Sequence, residues 1–355
     1  MFEDLLQRWD GEEVVVRFDR PSSGWFLIGV HSTVLGPAMG GTRLKSYPTP
    51  RDALADVLRL SGAMTLKQAA AGLPYGGGKA VVAVPSIPAP GGAERSELLN
   101  RYAGVIDALH GTYVTAADMN TGEADMDALA ERTPHVLGRS PARGGAGDPA
   151  HGTALGVFHG IRASCRHALG SAELDRRTVL IQGAGAVGTR LARHLRDAGA
   201  SVLVADTHED RAKETAADVE GHTVAVDEVA STECDVYAPC ATGAVLSAET
   251  IPQLRCRVVA GAANNQLAGP GDAERVRDAG ILYAPDYVIN AGGVIHLAGY
   301  ETLGWDDATM AARLAGIGQT LTDVFESAER DGITTAAAAD QLARARIAAA
   351  TARAS

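Results

Sequence analysis

The order of hydrophobic and polar positions divides the chain into two parts, of which the first has a mixed pattern. Short runs rich in β-branched residues alternate there with two stretches of helical periodicity. The pattern predicts strands at 12–18, 25–31 and 80–84 and one ending near Ala116, and helices at about 51–71 and 94–109. Two glycine-rich segments interrupt it: 35–43 is predicted as a loop, and 76–78 as a break before a strand. The mixture is typical of an α/β domain with a mixed sheet.

In the second part, apolar strands alternate regularly with amphipathic helices. The pattern predicts strands at 179–182, 201–205, 235–238 and 257–260, and helices at 187–198 and 210–219. This alternation indicates parallel βαβ units and therefore a doubly wound, Rossmann-type sheet. The chain after Thr309 is predicted to be helical, and it becomes very rich in alanine from Thr334 to Ala354.

Composition narrows the class of protein. Hydrophobic residues make up 46% of the 355 residues and charged residues 21%, which is enough apolar material for packed cores. The net charge of −11 argues against nucleic acid or an anionic membrane as the main partner. No apolar run reaches the ~18 residues of a membrane span, and no signal peptide is recognised. A cytoplasmic protein is therefore predicted.

The four cysteines predict no metal site. They contain no CxxC pair, and the spacing of Cys234 and Cys240 fits no common zinc pattern. We expect small buried thiols in a reducing compartment.

The use of lysine points to catalysis. Arginine supplies 28 of the 32 basic residues, yet Lys67 and Lys79 lie within twelve residues of each other. Arginine cannot lose its proton, whereas a shielded lysine can act as a base. The segment Gly76-Gly-Gly-Lys79 is not a phosphate-binding loop, because neither the glycine spacing nor the residue after the lysine fits one. Nucleotide hydrolysis is therefore excluded, and a catalytic lysine in a glycine-lined cleft is the remaining functional interpretation.

A dinucleotide site is predicted in the second part. Gly183, Gly185 and Gly188 follow a strand and open a helix, in the order that such a site requires. Asp206, at the end of the next strand, is placed to accept hydrogen bonds from a ribose and to repel a 2′-phosphate. The sequence therefore predicts NAD rather than NADP, with the intervening Ala186 and Val187 as part of the site.

Several segments together resemble the glutamate/leucine/phenylalanine/valine dehydrogenase family. They are Gly36–Arg43, Met64–Lys67, Leu73–Lys79, Asp118, Gly183–Gly188, Ala260–Asn265 and Tyr283–Gly293. The match runs in order from about residue 10 to 330, and within the family the chain most resembles the actinobacterial phenylalanine dehydrogenases.

The resemblance implies oxidative deamination of an L-amino acid by NAD⁺ and water to a 2-oxo acid and ammonium. In the family pattern, Lys67 holds the substrate carboxylate with the backbone of Gly40 and Gly41, Lys79 is the base, and Asp118 transfers protons to and from the amine. The residues that the resemblance assigns to the coenzyme in addition to the glycine-rich turn are Thr153, Ala241, Asn264 and Asn290. Asn264 is also assigned to the substrate.

Met39, Ala116, Val294 and Leu297 are predicted to form an apolar side-chain pocket. Glutamate-specific relatives carry a lysine where this chain has Met39, so glutamate is disfavoured. Overall resemblance favours phenylalanine, while the space taken by Met39 and Ala116 favours branched aliphatic side chains. Phenylalanine, leucine and valine all stay candidates, because one methylene discriminates by only ~1–3 kcal/mol.

The resemblance also implies two domains with a cleft between them and a homo-oligomer. The predicted domains are 1–140, for substrate and oligomerisation, and 141–329, for NAD, with a helix at about 330–355 returning to the first. Two alternatives stay open. One is an NAD-dependent 2-hydroxy-acid dehydrogenase, for which His296 is the only suspicious histidine. The other is a non-catalytic NAD-sensing paralogue.

Overall fold

The computed structural model describes residues 2–354, which form two compact units. Unit 1 comprises the chain up to Asp148, Leu297–Gly304 and the residues from Ala343 onward. Unit 2 comprises Pro149–His296 and Trp305–Leu342. The predicted bounds of 1–140 and 141–329 concern functional domains and stay a prediction.

Unit 1 is built on a five-stranded mixed sheet with the strand order β1-β2-β4-β3-β5. Its strands are β1 Glu13–Asp19, β2 Gly24–Ser32, β3 Ala38–Lys45, β4 Gly76–Ala83 and β5 Tyr113–Ala117. Its helices are α1 Glu3–Leu6, α2 Pro50–Ala71, α3 Ala93–Asp107 and α4 Glu123–Ala130. β2 runs antiparallel to β1 and β4, whereas β3 runs parallel to β4 and β5.

Unit 2 is built on a six-stranded parallel sheet with the order β11-β10-β9-β6-β7-β8. Its strands are β6 Thr178–Gln182, β7 Ser201–Ala205, β8 His222–Thr223, β9 Val236–Pro239, β10 Val258–Val259 and β11 Leu282–Tyr283. Its helices are α5 Ala150–Leu169, α6 Ala186–Asp197, α7 Glu209–Asp218, α8 Asp272–Asp278, α9 Asp286–Ile289 and α11 Asp307–Asp331. The unit boundaries fall within α10 Gly292–Glu301 and α12 Thr335–Ala354.

Two predictions about glycine-rich segments were wrong. The segment predicted as a loop at 35–43 contains most of β3, and the glycines at 76–78 are the first residues of β4 rather than a break. Both strands lie inside the sheet, where the backbones of neighbouring strands leave no space for a side chain at these glycines. A Cβ at Gly40 would lie 1.7 Å from the carbonyl oxygen of Gly78, and one at Gly76 would lie 1.8 Å from that of Ser32. These glycines therefore permit close packing instead of forming turns.

The two faces of the unit 1 sheet are covered by different helices. One face packs on α3 and α4 through a core that includes Phe26, Ala80 and Tyr102. The other face packs on α2 through a core that includes Leu54 and Val81. Residues of one face alternate with those of the other along each strand, so the sequence period of two decides which core a residue joins.

Helix α2 has defined ends. Thr49 caps its first turn together with Asp52, and Gly72 follows its last residue with a φ of +65°. The guanidinium of Arg346, in α12, donates to the carbonyl oxygens of Ala69 and Ala70 at 3.0 and 2.6 Å. These hydrogen bonds reach two carbonyls of the last turn, of which that of Ala69 also accepts from the N–H of Gly72 at 3.1 Å, and they fix the end of α2 that carries Lys67.

In unit 2, α5 packs against α6 and α11, and the sheet core contains Leu180, Tyr237 and Val259. α5, like α4, was absent from the predicted elements. All four cysteines are free, and Cys240 is the one that is partly exposed. None of the helices in the described residues is both long and apolar enough to span a membrane.

Candidate functional site

The predicted catalytic residues lie on the face of the unit 1 sheet that packs on α2. Paired residues of neighbouring strands share a face, and β3 pairs its Arg43 with Val81 of β4. Lys79, two residues before Val81, therefore points to the same face. Asp118 follows the end of β5 directly. With Asp56 of α2, these residues form what we call the charged cluster: Arg43, Asp56, Lys79 and Asp118.

Lys79 is buried and ion-paired. The residue is 4% exposed, and its Nζ donates to Oδ2 of Asp118. Burial lowers the pKa of Lys79 below its usual range, because the protonated amine loses water, although the carboxylate of Asp118 opposes this effect. A lysine with a lowered pKa can lose its proton nearer to neutral pH, and an arginine cannot.

Asp118 accepts hydrogen bonds from two cations. Nε of Arg43 donates to Oδ1 at 2.9 Å, while Lys79 donates to Oδ2. Burial alone raises the pKa of Asp118, but the charges and hydrogen bonds of Lys79 and Arg43 outweigh it and hold the pKa well below the usual range. Asp118 is therefore ionised at neutral pH.

Arg43 and Asp56 are members of this cluster that the sequence reasoning missed. Nη1 of Arg43 donates to Oδ2 of Asp56 at 2.8 Å, and the hydroxyl of Tyr47 donates to the same oxygen at 2.7 Å. Arg43 ends the glycine-rich segment 36–43, but only the strand register places it beside Asp118. Asp56 has no sequence signal beyond its place in a helix.

Gly40 and Gly41 lie in the middle of β3, next to the charged cluster. A Cβ at Gly41 would lie 2.9 Å from the Cβ of Asp118. β3 and β4 keep the same register on both sides of these two glycines. Lys67 is half-buried near the C-terminal end of α2. The binding of a substrate carboxylate by Lys67 and the two glycines stays a prediction.

The four residues predicted to line the side-chain pocket are divided between the units. Met39 and Ala116 are 1% and 5% exposed in unit 1, and the register places both on the same face as Lys79. Leu297 of α10 is also buried in unit 1, whereas the half-buried Val294 belongs to unit 2. Their joint pocket stays a prediction.

In unit 2, the glycine-rich turn between β6 and α6 has the predicted form. Gly183 has a φ of +115°, and a Cβ there would lie 2.8 Å from the backbone nitrogen of Ala241. A Cβ at Gly188 would lie 1.9 Å from the carbonyl oxygen of Gly183. Gly185, the N-cap of α6, differs because nothing described lies within 4 Å of a Cβ there. The first helical turn that follows comprises Ala186, Val187 and Gly188.

Asp206 lies beside this turn at the end of β7. Its Oδ2 accepts from the backbone N–H of Ala184 at 2.7 Å, and its Oδ1 accepts from that of His208 at 2.8 Å. Burial raises the pKa of Asp206, but these hydrogen bonds outweigh it and lower the pKa below the usual value. A cavity of about 390 Å³ opens next to the carboxylate and is lined in part by Thr207 and Val226.

Two asparagines meet where the chain leaves β10 and α9. Nδ2 of Asn290 donates to Oδ1 of Asn264 at 2.9 Å and to the carbonyl oxygen of Ala262 at 3.1 Å. Asn290 is 6% exposed, and its Oδ1 has no hydrogen-bond partner within the described chain. Thr153 packs against the start of α10, since a Cβ at Gly293 would lie 2.7 Å from its Oγ1.

We call these segments at the carboxyl ends of the strands the coenzyme edge: 183–188, 206–208, 240–241, 262–264 and 290. They fit a dinucleotide. The open space at Gly185 lies in front of a helix N-terminus, where a pyrophosphate binds. The carboxylate of Asp206 borders a cavity, and the buried Oδ1 of Asn290 offers an acceptor to a carboxamide N–H. The individual coenzyme contacts stay a prediction.

A second cavity, of about 590 Å³, lies at the amino ends of β10 and β11, and its walls include Arg257, Ile281 and Phe325. None of the predicted site residues lines it, so it is separate from the chemistry described above. Among the described residues, no group of three or more His, Cys, Asp or Glu side chains is arranged to hold a metal ion.

Two family models together match most of the chain. The Glu/Leu/Phe/Val dehydrogenase dimerisation domain matches residues 23–135, and the Glutamate/Leucine/Phenylalanine/Valine dehydrogenase domain matches residues 203–354. The NAD-binding domain of D-isomer specific 2-hydroxyacid dehydrogenases matches residues 159–242.

Individual proteins are similar over nearly the full length. A leucine dehydrogenase from Bacillus subtilis is 41% identical and a valine dehydrogenase from Streptomyces albus 46%, each over 96% of this chain and 93% of its own. The crystal structure of L-tryptophan dehydrogenase from Nostoc punctiforme is 36% identical, with a TM-score of 0.83 and 99% coverage of both chains. A glutamate dehydrogenase structure from Thermus thermophilus, 23% identical with a TM-score of 0.78, covers 97% of this chain and 89% of its own and shares the fold.

Proposed function

The chain belongs to the glutamate/leucine/phenylalanine/valine dehydrogenase family, and from this premise we propose that it deaminates hydrophobic L-amino acids, leucine and valine ahead of phenylalanine. It is an NAD-dependent amino-acid dehydrogenase. In the reaction, an L-amino acid, NAD⁺ and water give a 2-oxo acid, ammonium, NADH and a proton. The observation that carries the proposal is the buried Lys79 paired with the ionised Asp118.

The charged cluster, together with Lys67 and two glycines of β3, supplies the groups that this reaction needs. Lys67 and the backbone of Gly40 and Gly41 hold the substrate carboxylate. When bound at the coenzyme edge, NAD⁺ supplies the two-electron acceptor for oxidation at the substrate Cα. Asp118 accepts a proton from the substrate ammonium, as an ionised carboxylate can.

Lys79 acts in the hydrolytic half of the reaction. Its neutral amine removes a proton from the water that attacks the iminium carbon, and its protonated form then stabilises the oxygen on that carbon. The lowered pKa of Lys79 supports this role, because a larger fraction of the amine is neutral near physiological pH.

The residues of the coenzyme edge, together with Thr153, take the roles that the family pattern assigns to them. The N–H groups of Ala186 and Val187, in the first turn of the helix that begins after Gly185, would hold the pyrophosphate of the coenzyme. Asp206 accepts from the adenosine ribose. Thr153, Ala241, Asn264 and Asn290 hold the nicotinamide half, with Asn264 also reaching the substrate.

The preference for branched side chains rests on two observations. The relatives named above that are similar over nearly the full length include a leucine and a valine dehydrogenase, at 41% and 46% identity, ahead of the tryptophan dehydrogenase at 36%. Met39 and Ala116 are buried on the face that carries Lys79, where both take space that an aromatic ring would need. Since one methylene discriminates by only ~1–3 kcal/mol, we expect overlapping activity on phenylalanine.

The direct test follows NADH oxidation with ammonium and four acids: phenylpyruvate, 4-methyl-2-oxopentanoate, 3-methyl-2-oxobutanoate and 2-oxoglutarate. We expect turnover of the three hydrophobic acids, fastest with the branched ones, and none without ammonium. Turnover that ignores ammonium would support the 2-hydroxy-acid dehydrogenase instead. Binding of NADH without turnover of any acid would support the sensor.

The match to a 2-hydroxyacid dehydrogenase domain does not favour that alternative. It covers residues 159–242 and therefore only part of the coenzyme-binding fold. The charged cluster lies outside it. His296, the histidine considered for acid–base chemistry, is 7% exposed and packs against α5 at Gly152.

We further propose that the protein is a cytoplasmic homo-oligomer that pairs through β1. This strand is an edge of the unit 1 sheet, and its Val16 and Phe18 are 41% and 44% exposed. An antiparallel pair of β1 strands related by a two-fold axis at Val15 would oppose Glu13 of each copy to Arg17 of the other. Such charge complementarity suits an isologous contact.

The mass in solution tests this contact. Arg17→Glu should weaken the oligomer, because it opposes two acidic residues, and the double variant Glu13→Arg with Arg17→Glu should restore it. An unchanged mass for Arg17→Glu would exclude this pairing.

A further inference from the structure

The carboxylate of Asp118 is shared between two cations that belong to different strands. Arg43 of β3 holds one oxygen at 2.9 Å, and Lys79 of β4 holds the other. Each cation therefore interacts with only one of the two oxygens of Asp118. The guanidinium cannot lose its proton, so Asp118 keeps a counter-charge when Lys79 becomes neutral.

Arg43 is in turn held by α2. Its Nη1 donates to Oδ2 of Asp56 at 2.8 Å, so a single guanidinium bridges two carboxylates. Asp56 also accepts from the hydroxyl of Tyr47 at 2.7 Å and, through Oδ1, from Arg59 at 2.7 Å. The side chains of Arg43 and Asp56 are only 16% and 14% exposed, which limits solvent screening between them.

We propose that Arg43, positioned by Asp56, sets the protonation balance of the Lys79–Asp118 pair and so the pH above which Lys79 acts as a base. Arg43 and Asp56 are positioning residues in this role, since neither is assigned to substrate or coenzyme. The inference rests on the catalytic roles given to Lys79 and Asp118 in the proposed function.

The two positioning residues act on Lys79 with opposite signs. The positive charge of Arg43 disfavours protonation of Lys79 and so lowers its pKa, whereas the negative charge of Asp56 raises it. Burial of Lys79 is the larger cause of its lowered pKa, and Asp118 opposes it. Tyr47, before α2, and Arg59, on α2, contact the cluster at Asp56. On the side of β5, Thr121 accepts from the backbone N–H of Asp118 at 2.9 Å, and the charge of Asp118 adds to burial in raising the pKa of Tyr113.

Two substitutions separate this role from general damage. In the deamination direction, kcat/KM rises as Lys79 loses its proton. Arg43→Met leaves Lys79 as the sole cation on Asp118, so the pKa of Lys79 rises. The acidic limb of the pH profile then moves to higher pH by about one pH unit. Asp56→Asn removes a negative charge, so that Asp118 is the one carboxylate that Arg43 still pairs with. The pKa of Lys79 then falls, and the acidic limb moves to lower pH by about half a unit.

Arg59→Gln is the matched control. It removes a half-exposed guanidinium from the same carboxylate of Asp56 without a contact to Asp118. We expect the acidic limb of this variant to stay at its wild-type pH. Thermal unfolding and NADH binding of each variant verify the fold, and Asp56→Asn carries the test if Arg43→Met does not fold.

The pKa of Lys79 can also be followed without turnover. The chain has only four lysines, so NMR of ¹³Cε-labelled lysine resolves few signals, and the signal lost in Lys79→Arg identifies this residue. We expect its titration to move up in Arg43→Met and down in Asp56→Asn. Equal shifts, or none, would overturn the inference. A wild-type enzyme without amino-acid turnover would instead overturn the proposed function, and the NMR titration would still report on the pair.

Discussion

The charged cluster of unit 1 and the coenzyme edge of unit 2 differ in the chemical groups that form them. In the charged cluster, side chains up to 75 residues apart meet on one face of a mixed sheet, and the chemistry that we propose there depends on their charges. At the coenzyme edge, one carboxylate and several backbone groups follow the carboxyl ends of parallel strands, and glycines keep the space open. Substitutions should therefore affect chemistry in the first region and fold or coenzyme affinity in the second.

The largest effect is expected from Lys79→Arg. The cation on Asp118 is kept, but arginine cannot become neutral, so kcat should fall by about 10²–10⁴-fold. NADH binding, measured by fluorescence titration, should stay at the wild-type value because the coenzyme edge is untouched. Lys45→Arg makes the same exchange at a lysine over the ring of Tyr47 and should keep wild-type turnover. Substantial activity in Lys79→Arg would remove Lys79 from the role of base.

Gly188→Ala and Gly185→Ala separate fold from coenzyme binding within one turn. The new Cβ at position 188 would lie 1.9 Å from a carbonyl oxygen, so the free energy of unfolding should fall by about 1–3 kcal/mol or more. At position 185 nothing described lies within 4 Å, so stability should hold while the Kd for NADH rises about tenfold, a change of ~1.4 kcal/mol. Denaturant unfolding and NADH titration measure the two effects. Equal destabilisation of both variants would contradict this division.

Asp206→Ala tests the coenzyme preference. Loss of the carboxylate removes hydrogen bonds to a ribose and the repulsion of a 2′-phosphate, so NADH should bind about tenfold more weakly and NADPH more tightly. The ratio of the two Kd values is the measurement. Asp227→Asn changes another acid that lines the same cavity and should leave this ratio unchanged. A ratio that is the same in Asp206→Ala and the wild type would mean that groups other than Asp206 bind the ribose.

The smallest effect is expected from Met39→Ala. The shorter side chain should raise the ratio of kcat/KM for phenylpyruvate over 4-methyl-2-oxopentanoate by several fold, within the ~1–3 kcal/mol that apolar pockets discriminate. Because Met39 is 1% exposed, some loss of stability accompanies the change, and Ala116→Gly offers a milder enlargement. If neither variant changes the ratio, Met39 and Ala116 do not restrict the binding of an aromatic side chain.

The two regions also differ in how well the sequence predicted them. The strands β6 and β7, the glycine-rich turn and Asp206 lie within about thirty residues, and the local spacing of glycines and apolar residues was enough to place them. In unit 1, the same emphasis on local signals gave a wrong loop at 35–43. A run of glycines predicts a turn from local signals alone, whereas here the neighbouring strands β4 and β5 leave no room for a side chain at Gly40 and Gly41.

The candidate catalytic residues show the same limit. Lys79 and Asp118 were proposed from residue type and from resemblance, and the structure joins them in an ion pair. Arg43 and Asp56 were missed, because their importance comes from contacts that link β3, α2 and the end of β5. No pattern within any one of these segments reports such contacts.

The sequence by itself determined the alternation of strands and helices from β6 to α7 and the coenzyme turn, because these depend on residues close together in the chain. Its composition alone gave the scarcity of lysine that singles out Lys79. Only the tertiary structure decided that β3 is a strand inside the sheet and that Arg43 bridges Asp118 and Asp56. It also showed that Gly40 and Gly76 lie where neighbouring strands leave no space for a side chain. These features depend on strand register and helix packing, which bring distant residues within about 3 Å of each other, and the free energy of such contacts has no local signature in the sequence.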